Sequence, residues 1–276
     1  MPHITVGKEN SGDINLYYED HGSGKPIILI HGWPLSGASW EKQIPALLGA
    51  GYRVITYDRR GFGRSSQPNF GYDYDTLATD LQTLILNLDL HDATIVGFSM
   101  GGGEVARYLG TYGTERIAKA AFLAAIPPFL VKTPENPEGV DKSIFDGIEQ
   151  AIVADRPAFL KQFLANFYNV DVLGGKLISD PAVQASWNIA VGASPKGTLD
   201  CVNYWQIDCR NDLKSITIPT LVVHGNADRI LPLEATGTRT AALVKDSHLV
   251  VIEGGPHGLN WTHAEQVNQA LLAFLQ

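Results

Sequence analysis

Cysteine is nearly missing from this chain: its 276 residues hold two, Cys201 and Cys209. Two thiols exclude a disulfide framework, and with no C-x-x-C pair they outline no zinc or redox site; both read as core or near-core side chains. Clustered positive charge is also missing. The net charge is −8, and the basic residues form no long run, so neither nucleic acid nor an anionic membrane is an expected partner. No apolar stretch approaches the ~20 residues of a membrane span. The opening Met-Pro-His-Ile-Thr-Val-Gly-Lys has no apolar core of signal-peptide length. The expectation is a soluble, cytoplasmic protein, although a chain whose leader had been removed would read the same. No histidine pair has metal-ligand spacing with a carboxylate third. Gly61-Phe-Gly63 lacks the third glycine and the strand-to-helix placement of a dinucleotide loop. Neither a metal nor a cofactor is therefore expected, and no repeat or low-complexity tract appears.

What remains is ordinary globular composition, 45% hydrophobic and 18% charged, at a length suited to one α/β domain with an insertion. Residues 3–20 alternate as two antiparallel edge strands around Ser11-Gly12. Buried strands follow at 26–31 and 53–57, then, past a polar loop at 58–66, at 93–96 and 117–124. Helical spacing fills 39–50, with Ser39 as its cap, and 74–89. From Pro127 to Asp212 no continuous buried strand occurs; prolines and helical patterns rich in Phe and Trp replace it. Strands resume at 218–224 and 248–252, with helices at 232–245 and 263–275. Alternating strands and helices predict a mostly parallel, eight-stranded, doubly wound sheet. The core is assigned to 1–126 and 213–276, and a helical cap to 127–212.

In such sheets ligands bind beyond the carboxyl ends of the strands. One exit carries Gly97-Phe98-Ser99-Met100-Gly101, a G-x-S-x-G turn between a buried strand and a helix. That placement lifts a serine hydroxyl onto a strained corner at a helix N-terminus, where backbone N–H groups can meet an oxyanion. The bland alternative is a glycine-rich turn whose serine merely caps the helix. Two further exits supply Asp228 and His257. A serine needs a base, and the base needs an orienting carboxylate, and Ser99…Asp228…His257 run in the order of an α/β-hydrolase triad. Taken singly, Asp228 is equally an Asx-turn residue and His257 a solvated loop histidine. Asp208, Asp212 and Glu253 are the rival acids. His31 and His224 end strands before glycine and read as buried, hydrogen-bonded side chains. The backbone N–H groups of Trp33 and Met100 are the expected oxyanion donors. The Trp33–Pro34 bond fits either isomer. Trp33, Phe98, Phe129 and Trp205 are candidate pocket residues. Among the cap aromatics, Phe129, Phe145, Phe163, Phe167, Trp187 and Trp205 fit a small apolar acyl or aryl pocket and plain cap core equally well.

The stretches His31-Gly-Trp-Pro-Leu-Ser-Gly37, Tyr57-Asp-Arg-Arg-Gly-Phe-Gly-Arg-Ser-Ser66 and Val96-Gly-Phe-Ser-Met-Gly-Gly-Gly-Glu-Val-Ala-Arg-Tyr108, with the Asp228 and His257 loops, resemble the cofactor-free (non-haem) haloperoxidases and their esterase and γ-lactamase relatives. The resemblance spans nearly the whole chain and is weakest over 127–212. It implies a serine hydrolase of small or aryl esters. It also implies a side activity in which peroxide replaces water on the acyl-serine and the released peracid oxidises halide. Implied partners are therefore an ester, a lactam or a carboxylic acid plus peroxide; a homo-oligomer is compatible. The implied roles fall on Ser99, Asp228 and His257, with Trp33 and Met100 as oxyanion donors. Two other readings stay open, a γ-lactamase and a non-catalytic ligand receptor on the same scaffold. A carbon–halogen or epoxide hydrolase is disfavoured, because it needs a carboxylate where Ser99 stands.

Overall fold

The computed structural model describes residues 2–137 and 139–276. Strands β1 (His3–Glu9) and β2 (Gly12–His21) form the edge hairpin, and β3 (Pro26–Ile30) opens the buried sheet. Then follow α1 (Ile44–Gly49), β4 (Arg53–Tyr57), α2 (Tyr74–Asn87), β5 (Ala93–Phe98), α3 (Met100–Tyr112) and β6 (Ile117–Leu123). Helices α4 (Lys142–Phe167), α5 (Val170–Leu173), α6 (Asp180–Gly192), α7 (Pro195–Tyr204) and α8 (Arg210–Lys214) come next. The chain closes with β7 (Thr220–Gly225), α9 (Gly237–Leu243), β8 (Ser247–Ile252), α10 (Leu259–Thr262) and α11 (Ala264–Leu275).

The eight strands make one sheet in the order β1-β2-β4-β3-β5-β6-β7-β8. Only the β1–β2 and β2–β4 pairings are antiparallel; the remaining five are parallel. Every residue of β5 and β7 is buried, as expected of strands covered on both faces. Strand periodicity divides the core. Ile27, Leu29, Val96 and Val223 face α1, α11 and the cap, while Ile28, Ile30, Ile95 and Val222 face α2 and α3. Cys209, Leu213 and Ile216 already belong to the second group, so the chain is back on the core by Cys209.

Two helices are shorter than their sequence spacing suggests. The 39–50 segment splits into a 3-10 turn, Gly37–Trp40, capped by Ser36 rather than Ser39, and α1, which carries Pro45 in its first turn. Proline lacks the N–H that a continuous helix would need there. Before α9, residues 232–236 form turns instead of helix, tied by Thr236 Oγ1 donating to the Pro232 carbonyl at 2.9 Å. Pro219 stands just outside β7, and its carbonyl accepts from Ala120 N at 3.1 Å. In the cap, α4 breaks at Asp155 (φ −159°, ψ 86°) ahead of Pro157. The Asp155 carboxylate accepts from Ala158 N at 3.0 Å and so caps the second half.

Candidate active site

The corner after β5 is built by exclusion of side chains. A Cβ on Gly97 would lie 2.4 Å from the Gly101 carbonyl oxygen, and one on Gly101 would lie 2.6 Å from that of Ile30. Both are closer than real Cβ contacts, so strand and helix approach as they do only because both positions are glycine. Between them Ser99 is held at φ 55°, ψ −119°, a conformation that non-glycine residues adopt only where the surroundings enforce it.

Loops from three parallel strands meet at this corner. His257 Nε2 lies 2.9 Å from Ser99 Oγ, and His257 Nδ1 lies 2.7 Å from Asp228 Oδ2. A carboxylate only accepts, so Nδ1 carries the proton and Nε2 faces the hydroxyl with its lone pair. Asp228 Oδ1 accepts from the backbone N–H groups of Ile230 and Leu231, both at 2.8 Å. Its Oδ2 also lies 3.3 Å from His224 Nε2, which donates to the Leu231 carbonyl at 2.8 Å. Burial alone would raise the Asp228 pKa, but the electrostatic attraction of His257 and the hydrogen bonds from His224 and His257 outweigh it and hold the carboxyl well below the usual range. The imidazole of His257 sits between Phe98 and Phe167, with ring centroids at 5.2 and 4.9 Å. The rival acids are engaged elsewhere: Asp208 with Arg210, Asp212 with Arg107, and Glu253 with Asn226.

The loop after β3 closes on the same corner. A Cβ on Gly32 would lie 2.9 Å from Ser99 Cβ. Trp33 comes next, with its peptide bond to Pro34 in the cis form. Among the described residues the backbone N–H groups of Trp33 and Met100 donate to no protein acceptor. The Trp33 indole is pinned by donation to the Thr198 carbonyl at 3.2 Å. Its ring meets Trp205 at 4.8 Å and Phe163 at 5.0 Å.

A family model described as the α/β-hydrolase fold matches residues 25–264. The chain belongs to the α/β-hydrolase family. Within it, the chain is 64% identical, over the whole of both chains, to a Synechocystis sp. protein that carries a provisional non-heme chloroperoxidase name. It is 38% identical to a bifunctional esterase/perhydrolase from Acinetobacter calcoaceticus, over 95% of this chain and 96% of that one. Among solved structures, a bromoperoxidase from Bacillus anthracis superposes with a TM-score of 0.95 at 51% identity, covering 99% of each chain. These relatives place the hydrolase in the non-haem haloperoxidase and esterase branch.

A cavity of about 290 Å³ opens on Ser99 in this hydrolase. Trp33 and Trp205 line it, joined by Leu130, Phe145, Phe159 and Phe163. Phe98 and Phe129, candidates from the sequence, are not on its wall. Phe98 is fully buried against Trp40, Phe167 and His257, where it backs the His257 imidazole and not the cavity. Phe129 stacks under the Arg210 guanidinium at 5.1 Å. Of the other cap aromatics, Phe167 braces His257, and Trp187 donates to the Pro157 carbonyl at 3.0 Å on the outside of the cap.

Sequence reasoning missed a buried ionic strut. Arg59, 1% exposed, donates from Nη2 to the His31 carbonyl at 2.8 Å and from its backbone N–H to His31 Nε2 at 3.0 Å. Its Nε donates to Glu104 on α3 at 2.9 Å, and Tyr57 Oη donates to the same carboxylate. Burial and the Arg59 charge hold His31 neutral, well below the usual histidine range. The strut thus ties the loop bearing Trp33 to the helix that begins at Met100. A glutamate at 104, one position before the apolar residues of α3, was the available signal.

No described helix is long and apolar enough to cross a membrane. Among the described residues no group of three or more His, Cys, Asp or Glu side chains is arranged to hold a metal ion.

Proposed function

We propose that this chain is a serine esterase working through an acyl-enzyme, with a perhydrolase side activity. The reading rests on one observation, the unbroken hydrogen-bonded line from Ser99 Oγ through His257 to Asp228. In the first step His257 Nε2 takes the Ser99 proton as Oγ bonds to the ester carbonyl carbon. The carbonyl oxygen gains the electron pair, and the N–H groups of Trp33 and Met100 receive it. As the intermediate collapses, the C–O bond to the alcohol breaks and the imidazolium returns the proton to the leaving oxygen. Asp228, ionised throughout, holds the imidazole in the required tautomer. Water, deprotonated by His257, then releases the acid and restores Ser99.

When a carboxylic acid supplies the acyl group, hydrogen peroxide in place of water gives a peracid, which oxidises halide in solution. The name of the Acinetobacter relative, an esterase/perhydrolase, supports this side activity. Cyclic amides ask for the same acyl-enzyme and differ only in leaving group. The aromatic wall of the cavity favours compact acyl or aryl groups. Ser99→Ala with 4-nitrophenyl acetate is the direct test. Turnover is expected to fall by about three orders of magnitude or more, the residue being what binding and oxyanion contacts supply without a nucleophile. Activity near wild type would end the proposal.

A further inference from the structure

Arg229 is the only ionisable side chain on the wall of the cavity that opens on Ser99, among the described residues. It is placed by its neighbour, since Asp228 immediately before it is fixed by two backbone N–H groups and His257. Its Nη1 donates to Asp171 Oδ1 on α5 at 2.8 Å, while Nε and Nη2 find no protein acceptor among the described residues. The two side chains are 43% and 64% exposed, so their pairing is a weak surface contact that another anion can replace. The other polar side chains on the wall besides Ser99 are Gln162 and Asn166, one turn apart on α4 and both exposed. The rest of the wall is aromatic or aliphatic.

The whole chain carries a formal charge of −8, which repels anionic substrates at long range. Arg229, the one charged residue on that wall among the described residues, reverses that locally. Its planar fork suits a carboxylate, which can accept from Nε and Nη2 together.

We propose that the cavity takes acyl donors whose far end carries a carboxylate, and that Arg229 binds that carboxylate in exchange for Asp171. The inference rests on the serine-esterase reading and names its substrate class. The apolar wall holds the methylene or aryl body, and the reacting carbonyl lies at Ser99.

The test uses 4-nitrophenyl monoesters of glutaric, adipic and suberic acid, each paired with its neutral methyl ester, and follows 4-nitrophenol release. The quantity read is the ratio of kcat/KM for the anionic ester to that for its neutral partner. Taking the ratio within each variant cancels any effect on Asp228 next door. Arg229→Gln is expected to lower the ratio about tenfold at the best chain length, the size of one charge-assisted hydrogen bond, and to flatten its dependence on salt. Asp171→Asn, which frees the guanidinium, is expected to raise it a few-fold. A ratio unchanged by Arg229→Gln at every chain length, or lowered by Asp171→Asn, overturns the inference. If the wild type releases 4-nitrophenol from neither ester of any pair, the esterase reading itself fails and takes this inference with it. Active neutral esters with an unmoved ratio would remove the Arg229 assignment alone.

Discussion

Replacing Asp228 by asparagine probes the proposed chemistry with almost no change of shape. The two backbone donors decide how the amide sits. Ile230 N and Leu231 N both point at Oδ1 at 2.8 Å, so the amide oxygen must stay there. The NH2 group then takes the place of Oδ2, 2.7 Å from His257 Nδ1 and 3.3 Å from His224 Nε2. An amide N–H facing Nδ1 forces that nitrogen to accept, which moves the imidazole proton to Nε2. Ser99 Oγ then faces a donor that cannot take its proton. In serine proteases the same tautomer error costs about 10⁴ in kcat, or about 5.5 kcal/mol of transition-state stabilisation. A similar loss is expected here on 4-nitrophenyl acetate, with KM moved far less. Acid unfolding supplies a second readout. Because the native Asp228 pKa is depressed, its contribution to stability is complete above the unfolded value of about 4 and is lost as pH falls below that toward the native value. The asparagine variant has no such titration, so the stability gap between it and wild type should narrow below about pH 4. A folded Asp228→Asn protein with kcat within tenfold of wild type would refute the assigned geometry.

Two further substitutions probe the frame around the site. Glu104→Leu leaves the Arg59 guanidinium, 1% exposed, without its counter-charge, and should lower unfolding stability by about 3–5 kcal/mol in urea titrations. Glu104→Gln, whose amide oxygen can still accept from Arg59 Nε but which carries no charge, should lose nearly as much; a loss far smaller than that of Glu104→Leu would contradict the ionic account. Gly32→Ala puts a Cβ 2.7 Å from the Phe98 ring and 2.9 Å from Ser99 Cβ. Phe98 is wedged by Trp40, Phe167 and His257 and cannot swing away. Kcat should therefore fall more than KM rises, with about 1–3 kcal/mol of overpacking cost in thermal unfolding; an unaltered kcat would mean that the loop yields freely.

The sequence announced the sheet because its strands are buried on both faces and so appear as uninterrupted apolar runs, as in Ile27–Ile30 and Ala93–Val96. It announced the corner because Gly97 and Gly101 are required by backbone contacts at 2.4 and 2.6 Å that leave no room for another residue. Asp228 and His257 were reachable because each follows a parallel strand. The rest depended on packing between distant segments. Nothing local reveals that Phe98 turns its ring beneath His257 while Trp33 turns its own into the cavity. Nor does the spacing of Arg59 and Glu104, 45 residues apart, mark them as partners. Helix ends were also misplaced, since Pro45 and the turn at 232–236 override apolar periodicity.

The last turn of α4 has a consequence for how the cap can be exchanged. Cap residues such as Phe145, Phe159 and Phe163 line the cavity, while the Phe167 carbonyl accepts from Gly258 N at 2.8 Å, and the Phe167 ring braces the neighbouring imidazole. The bend at Asp155 separates that turn from the helix's outer half, which carries Phe145 and Ile148 on the cavity wall. Under the proposed function, transplanting segments ahead of the bend would retune selectivity while leaving His257 and its contacts intact. A graft that replaces the end of the helix would also loosen His257, the proposed general base.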